Sequence, residues 1–223
     1  MHHRLILATA LLVGATAVTA VAQTPPAPAP AAATPAAPAT PPTRVRGKIA
    51  ALTGNALTID SRDGQKIEIT LADTATVATV KKVELSAVGP DSFIGTATRT
   101  GADGKLTALE VLVFPDAMRG TGEGFYPWDL EPGSMMTNGT VKGAVTAASG
   151  RELTVSYKDK ASNTEKSNTV DVPPGTPIVT FAPATRDDLK PGAPVFLIAM
   201  KNAEGKLTAA RVTVGKDGVA PPM

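Results

Sequence analysis

The chain contains no cysteine, and its two histidines, His2 and His3, stand at the extreme N-terminus. Beyond those positions it therefore lacks the thiol and imidazole groups used by cysteine and serine hydrolases, c-type haem attachment, iron–sulfur clusters and most zinc sites. Aromatic residues are scarce too, with one tryptophan, two tyrosines and five phenylalanines. These absences predict a protein that is not an enzyme and carries no cofactor.

The first 22 residues have the pattern of a secretory signal peptide. Arg4 precedes an apolar run over residues 5–20, and Ala20-Val21-Ala22 fits the small-x-small rule for cleavage before Gln23. The run is shorter and less apolar than the ~20 residues that a transmembrane helix needs. We therefore expect an exported, periplasmic protein with no stable membrane insertion after cleavage.

The charge of the chain is nearly balanced, with 22 basic and 20 acidic residues. Nucleic acids and anionic membranes attract proteins through a large excess of basic residues. This balance gives no reason to expect nucleic acid as a partner. An envelope or periplasmic protein is the partner that the export signal predicts.

The remaining chain divides by composition. Residues 23–43 form a spacer, which from residue 24 contains only proline, alanine and threonine and is predicted to be extended and disordered. From residue 44 short runs rich in Val, Ile, Thr and Leu alternate with Gly, Asp and Asn, as in all-β domains. The candidate strands of the first such region are residues 44–52, 56–60, 66–71, 76–81, 92–98 and 105–114.

The same pattern occurs twice. Val45 and Gly47 correspond to Val141 and Gly143, and the pentapeptide Gly-Lys-Leu-Thr-Ala at 104–108 recurs at 205–209. We interpret residues 44–114 and 139–214 as tandem repeats of about six short strands each, with a disordered tail at 215–223. Sheets this small have unpaired edges unless they close, so each repeat is predicted to form a small OB-like β-barrel.

The opening G-x-[IV], the LT[IV] of the second strand and the closing G-K-L-T-A of each repeat resemble a known family. It consists of small β-barrel domains of unknown function, found singly or in tandem in exported bacterial proteins. The resemblance covers both repeats and leaves out the segment between them. It implies the barrel fold and brings no catalytic residue.

The segment 115–138 that joins the repeats holds an unusual concentration of large side chains. Its run Phe125-Tyr126-Pro127-Trp128-Asp129 contains the only tryptophan of the chain. One hypothesis is that Phe125, Tyr126, Trp128 and Asp129 form a patch that binds a ligand or a partner protein. The alternative is that the rings fill the seam between two barrels, because large aromatics contribute most of their stabilisation through burial.

Three of the six methionines, Met118, Met135 and Met136, lie in this segment as well. Thioethers are suitable ligands for copper(I), so a metal ion bound by these methionines and nearby carboxylates is an alternative prediction, that of a periplasmic metal-handling accessory protein. Ordinary packing explains the methionines equally well. The function favoured by the sequence is an exported, non-enzymatic binding or assembly module.

Overall fold

The computed structural model describes residues 41–147 and 150–221, which belong to one compact unit. The predicted signal peptide and most of the predicted spacer lie outside the described residues. Three short 3-10 turns and twelve strands make up the regular structure. The strands are β1 (Thr43–Thr53), β2 (Ala56–Ser61), β3 (Lys66–Lys82), β4 (Phe93–Thr100), β5 (Leu106–Val113), β6 (Gly124–Pro127), β7 (Met135–Ala147), β8 (Gly150–Lys158), β9 (Glu165–Val172), β10 (Ile178–Pro183), β11 (Pro194–Lys201) and β12 (Leu207–Val214).

The all-β prediction is confirmed, and five of the strands form a closed barrel. Its order is β1–β2–β3–β12–β11 and back to β1, with every pairing antiparallel except the parallel contact of β3 with β12. Apolar residues at alternate positions fill the interior, because successive side chains of a strand point to opposite faces. The buried set includes Val45, Ile49, Leu57, Ile59, Ile69, Leu71, Leu197 and Val212.

The sequence predicted that each barrel is built from one repeat, and this prediction is wrong for the closed barrel. Strands β1 to β3 come from the first repeat, whereas β11 and β12 come from the second. The reason lies in the duplication itself: equivalent strands in the two repeats present similar backbone and side-chain patterns, so they can pair within a repeat or across repeats. The sequence pattern does not distinguish these two pairings.

The further strands are connected to one another in a similar order. β7 pairs with β4 and β8, and β9 pairs with β8 and, over a short parallel stretch, with β5. β4 and β5 are antiparallel neighbours. Apolar residues of these strands form a second core, which includes Ile94, Val111, Val141, Leu153, Val155 and Val170.

β10 lies between β3 and β5 and connects the two groups of strands. In its antiparallel pairing with β3, Phe181 is opposite Val80, which occupies the same place in the first repeat by the offset of the shared pentapeptide. A third apolar group, here called the seam cluster, lies at this junction and consists of Val80, Phe93, Leu112, Phe114 and Val179. The pairing of β3 with β10 therefore relates the two repeats approximately by a twofold axis.

The candidate strands 66–71 and 76–81 are joined in one long strand, β3. In the second repeat, β9 and β10 remain separate strands. Pro173 and Pro174 lie between them and lack the backbone N–H that a continuous ladder requires. The two repeats thus differ where proline interrupts one of them.

Residues 215–221 belong to the stretch that the sequence predicts as a disordered tail. Lys216 Nζ lies 2.9 Å from Asp188 Oδ1, and Val219 packs against the seam cluster. Within residues 41–147 and 150–221, no helix is long and apolar enough to cross a bilayer.

Candidate functional site

The joining segment 115–138 turns back along the second group of strands. Its β6 pairs with β7, so that Tyr126 lies opposite Met136. Glycines at 120 and 122 have positive φ, and a Cβ on Gly122 would lie 2.9 Å from Asn138 Nδ2. These glycines let the segment turn tightly against β7.

The side chains of Phe125 and Tyr126 lie on opposite faces of β6. The Phe125 ring is 37% exposed, and its centroid is 6.1 Å from that of Tyr157. Tyr126 is half-buried, and its hydroxyl accepts a hydrogen bond from Asn138 Nδ2 at 3.2 Å. Burial raises the pKa of Tyr126, an effect that the nearby Arg44 charge opposes. Phe125 is thus the more exposed of the two rings on this strand.

Trp128 is half-buried between residues of the closed barrel. The Arg44 guanidinium lies 4.2 Å from the centroid of the indole, which is the geometry of a cation–π contact. The rings of Phe196 and Tyr126 flank it at centroid distances of 6.3 and 6.0 Å. A backbone hydrogen bond from Trp128 N to Ser134 O at 2.8 Å closes the turn that follows. The indole is thus held between the joining segment and strands β1 and β11.

Asp129 is an ion-pair partner of the closed barrel. Arg46 Nη2 donates to Asp129 Oδ1 at 2.9 Å, and the Arg46 side chain is only 8% exposed. Desolvation lowers the pKa of Arg46, and Asp129 opposes this shift. Arg62 adds hydrogen bonds to the carbonyl oxygens of Asp129 and Leu130 at 2.8 and 3.1 Å. Two arginines therefore fasten the segment to β1 and the turn after β2.

These arginines and a buried acid near them were not predicted from the sequence. Arg44 and Arg46 flank the core residue Val45, so their outward orientation follows from strand alternation and was visible in the sequence. Glu110 in β5 is only 5% exposed, and its Oε1 has no hydrogen-bond partner in the described part of the chain. Burial raises the pKa of Glu110 to about 8, although the positive charge of Arg46 acts in the opposite direction.

Beside Trp128 lies a cavity of about 400 Å³, here called the seam cavity. Its apolar walls come from the seam cluster and from neighbouring strands: Leu112, Phe114, Phe181, Phe196, Leu197 and Ile198. Tyr126, Trp128 and Asn138 supply polar atoms, and Arg44, Lys160 and Arg211 supply positive charge. Cavities of this size, mostly apolar with a few polar groups, are typical of small-molecule sites.

Two polar atoms of the lining side chains have no partner among the described residues. They are Trp128 Nε1, a donor, and Asn138 Oδ1, an acceptor, and both are buried from solvent. Buried polar atoms without hydrogen bonds cost about 1–3 kcal/mol each. Both atoms have almost no accessible surface, so a molecule in the cavity does not reach them in this conformation.

The three methionines do not share one site. Met135 and Met136 are consecutive in β7 and therefore point to opposite faces, and Met136 is fully buried. Met118 lines the seam cavity, where Arg211 Nη1 approaches its sulfur at 3.7 Å. Among residues 41–147 and 150–221, no group of three or more His, Cys, Asp or Glu side chains is arranged to hold a metal ion.

Comparison of the chain with protein-family models, with curated proteins and with solved structures found no match.

Proposed function

We propose that this chain is an exported, non-enzymatic binding protein of the periplasm whose ligand site is the seam cavity. The observation that carries the proposal is the cavity itself, which is mostly apolar and is lined by the only tryptophan of the chain. The sequence adds the predicted signal peptide. In this proposal the aromatic segment binds a ligand on one side and closes the seam on the other.

The second group of strands supports a finer proposal about the fold. The order β7–β8–β9–β5–β4 and back to β7 repeats that of the closed barrel, including one parallel contact. We propose that these strands form a second OB-like barrel and that the two barrels exchange their last two strands. The joining segment then connects two mutually dependent barrels, and the seam cavity lies where they meet.

The emission of Trp128 gives a direct test of binding at the cavity. The chain has one tryptophan, so a change in its fluorescence reports on this wall alone. Native mass spectrometry of the protein, purified from its own host without chelator, would reveal a retained molecule. We expect an added mass that is lost on partial denaturation, together with a shift in Trp128 emission when it leaves.

A pair of matched variants connects the retained molecule with the cavity. Ile198→Phe enlarges a cavity-lining side chain that is partly exposed, whereas Val145→Phe makes a comparable exposed change outside the lining. The proposal expects the first variant to lose the retained mass and the second to keep it. Retention in both variants, or a bare polypeptide with emission unresponsive to every added compound, contradicts the proposal.

A further inference from the structure

The side chains around the seam cavity carry charge of one sign. Its lining includes Arg44, Lys160 and Arg211 but no aspartate or glutamate, although the whole chain has 22 basic and 20 acidic residues. The positive charge is thus a local feature of this cavity. Charged clefts with low-dielectric walls concentrate ligands of the opposite sign.

These cations are not neutralised by the protein itself. None of the ion pairs within residues 41–147 and 150–221 involves Arg44, Lys160 or Arg211. Arg46, the neighbour of Arg44 on the same face of β1, is paired with Asp129. The guanidinium groups of Arg44 and Arg211 are therefore available to a ligand.

The positions of the two arginines are partly fixed by aromatic and thioether contacts. Arg44 lies over the Trp128 ring at 4.2 Å, and Arg211 Nη1 lies 3.7 Å from Met118 sulfur. These contacts restrict the side chains without neutralising them. A guanidinium that is held in this way loses less conformational entropy when it binds an anion.

The walls of the seam cavity require an apolar part in the ligand. Phe114 and Phe181 have ring centroids 5.9 Å apart, and Leu112 and Phe196 extend the apolar surface. An inorganic anion such as sulfate would leave this surface unused, whereas a purely apolar molecule would leave the cations unpaired. The two features together fit a molecule that has both an apolar body and an acidic group.

Resting on the proposed function, we infer that the seam cavity binds an amphipathic organic anion, with its apolar body against Phe114, Phe181 and Phe196 and its acidic group at Arg44 and Arg211. The acidic group supplies acceptors for guanidinium donors, which bind carboxylate-like groups in bidentate fashion. The apolar body displaces water from the aromatic walls.

The test uses two probes that differ in one group. Anilinonaphthalene sulfonate is an amphipathic anion, and phenylnaphthylamine has the same rings without the sulfonate. Both fluoresce in apolar sites, and energy transfer from Trp128 shows that a bound probe lies close to the cavity. We expect the full-length protein to bind the anionic probe about tenfold more tightly, with a preference that weakens as salt is added.

Substitution of the two arginines tests whether they cause the preference for the anionic probe. Arg44→Gln and Arg211→Gln should each reduce affinity for the anionic probe about three- to tenfold and leave affinity for the neutral probe unchanged. Lys201→Gln removes an exposed charge outside the lining and is the matched control. Circular dichroism of each variant, compared with the parent protein, confirms that the fold is retained.

The outcomes separate this inference from the function on which it rests. Equal affinity for the two probes, with energy transfer from Trp128, would overturn the anion preference and preserve a binding site. A preference that survives both arginine substitutions would also overturn the inference, because the charge selection would arise elsewhere. Failure of both probes to bind, together with a bare protein from the host, would overturn the binding function itself.

Discussion

Glu110 and Arg211 occupy the same place in the two repeats, two residues after the shared pentapeptide, but their surroundings are opposite. Glu110 is buried in the field of Arg46, and Arg211 is exposed at the seam cavity. The facing strand accounts for part of this difference, because Arg46 lies near Glu110, whereas the corresponding strand β7 has Asn138 at the cavity that Arg211 lines. The two equivalent strands thus face different residues, and the joining segment adds Asp129 beside Arg46 only.

A second equivalent pair differs in the residues themselves. Gly47 in β1 corresponds to Gly139 in β7, because a Cβ on either glycine would collide with a backbone oxygen of the neighbouring strand, and a register shift follows at the same distance along both strands. The sequence alignment that matched Gly47 with Gly143 is therefore wrong, and Arg46 corresponds to Asn138. The Arg46 side chain is 8% exposed and forms an ion pair, whereas Asn138 is buried without a charge. The candidate site therefore belongs to the less symmetric part of the molecule.

The largest effect is expected when the joining segment is cut, because the cut tests whether the two repeats depend on each other for folding. A protease site placed between Gly120 and Gly122 divides the chain into two halves that, in our proposal, share both barrels. We expect the cut halves to remain together on gel filtration and to separate only in denaturant. Each half purified alone should fail to fold, because it lacks two strands of one barrel and three strands of the other. Two halves that separate and fold independently would contradict the exchange of strands.

Exchanging the charges of the equivalent pair should lower stability strongly at Glu110 and hardly at all at Arg211. Glu110→Arg places a second cation beside Arg46 in a buried site and should lower the free energy of unfolding by about 3 kcal/mol or more. Arg211→Glu, at an exposed position, should change it by less than ~0.5 kcal/mol. Urea unfolding measures both. Comparable losses in the two variants would show that the environments are not different.

The titration of Glu110 should make stability depend on pH. Its folded-state pKa of about 8 lies above the value of roughly 4.3 for an unfolded chain, so the folded protein retains a proton that the unfolded chain releases. Stability should therefore fall by a few kcal/mol as pH rises from about 4 to 8 and become level above that. Glu110→Gln should remove this decrease. Thermal unfolding of both proteins across this range measures it, and parallel curves would contradict the raised pKa.

Loss of the ion pair of the joining segment should lower stability less than a charge change at Glu110. Asp129→Ala leaves the largely buried guanidinium of Arg46 without its carboxylate and should cost about 1–3 kcal/mol. Asp103→Ala is the matched control, because Asp103 and Lys105 form a more distant pair at the surface, at 3.9 Å. Urea unfolding of the two variants compares these costs. A loss in the control equal to that of Asp129→Ala would remove the special role of the segment.

Much of the local structure could be predicted from the sequence. The runs of Val, Ile and Leu at alternate positions predicted the strand ends of the first repeat to within two residues, because backbone pairing and burial repeat every two residues. They predicted two strands where β3 is one, and they did not predict β6. The concentration of aromatics in 115–138 drew attention to the segment that borders the seam cavity. The role of Arg46 and Glu110 could not be predicted, since burial of a charge depends on what covers it.

The sequence by itself determined the all-β class, the duplication and the position of the unrepeated aromatic segment, because each depends on local pattern. Only the tertiary structure decided which copies of the strands pair, since equivalent strands offer nearly identical partners. It also decided that the outward face of β1 is covered by Asp129 at Arg46 and left open at Arg44. That difference arises from contacts between residues more than eighty positions apart, which no local pattern encodes.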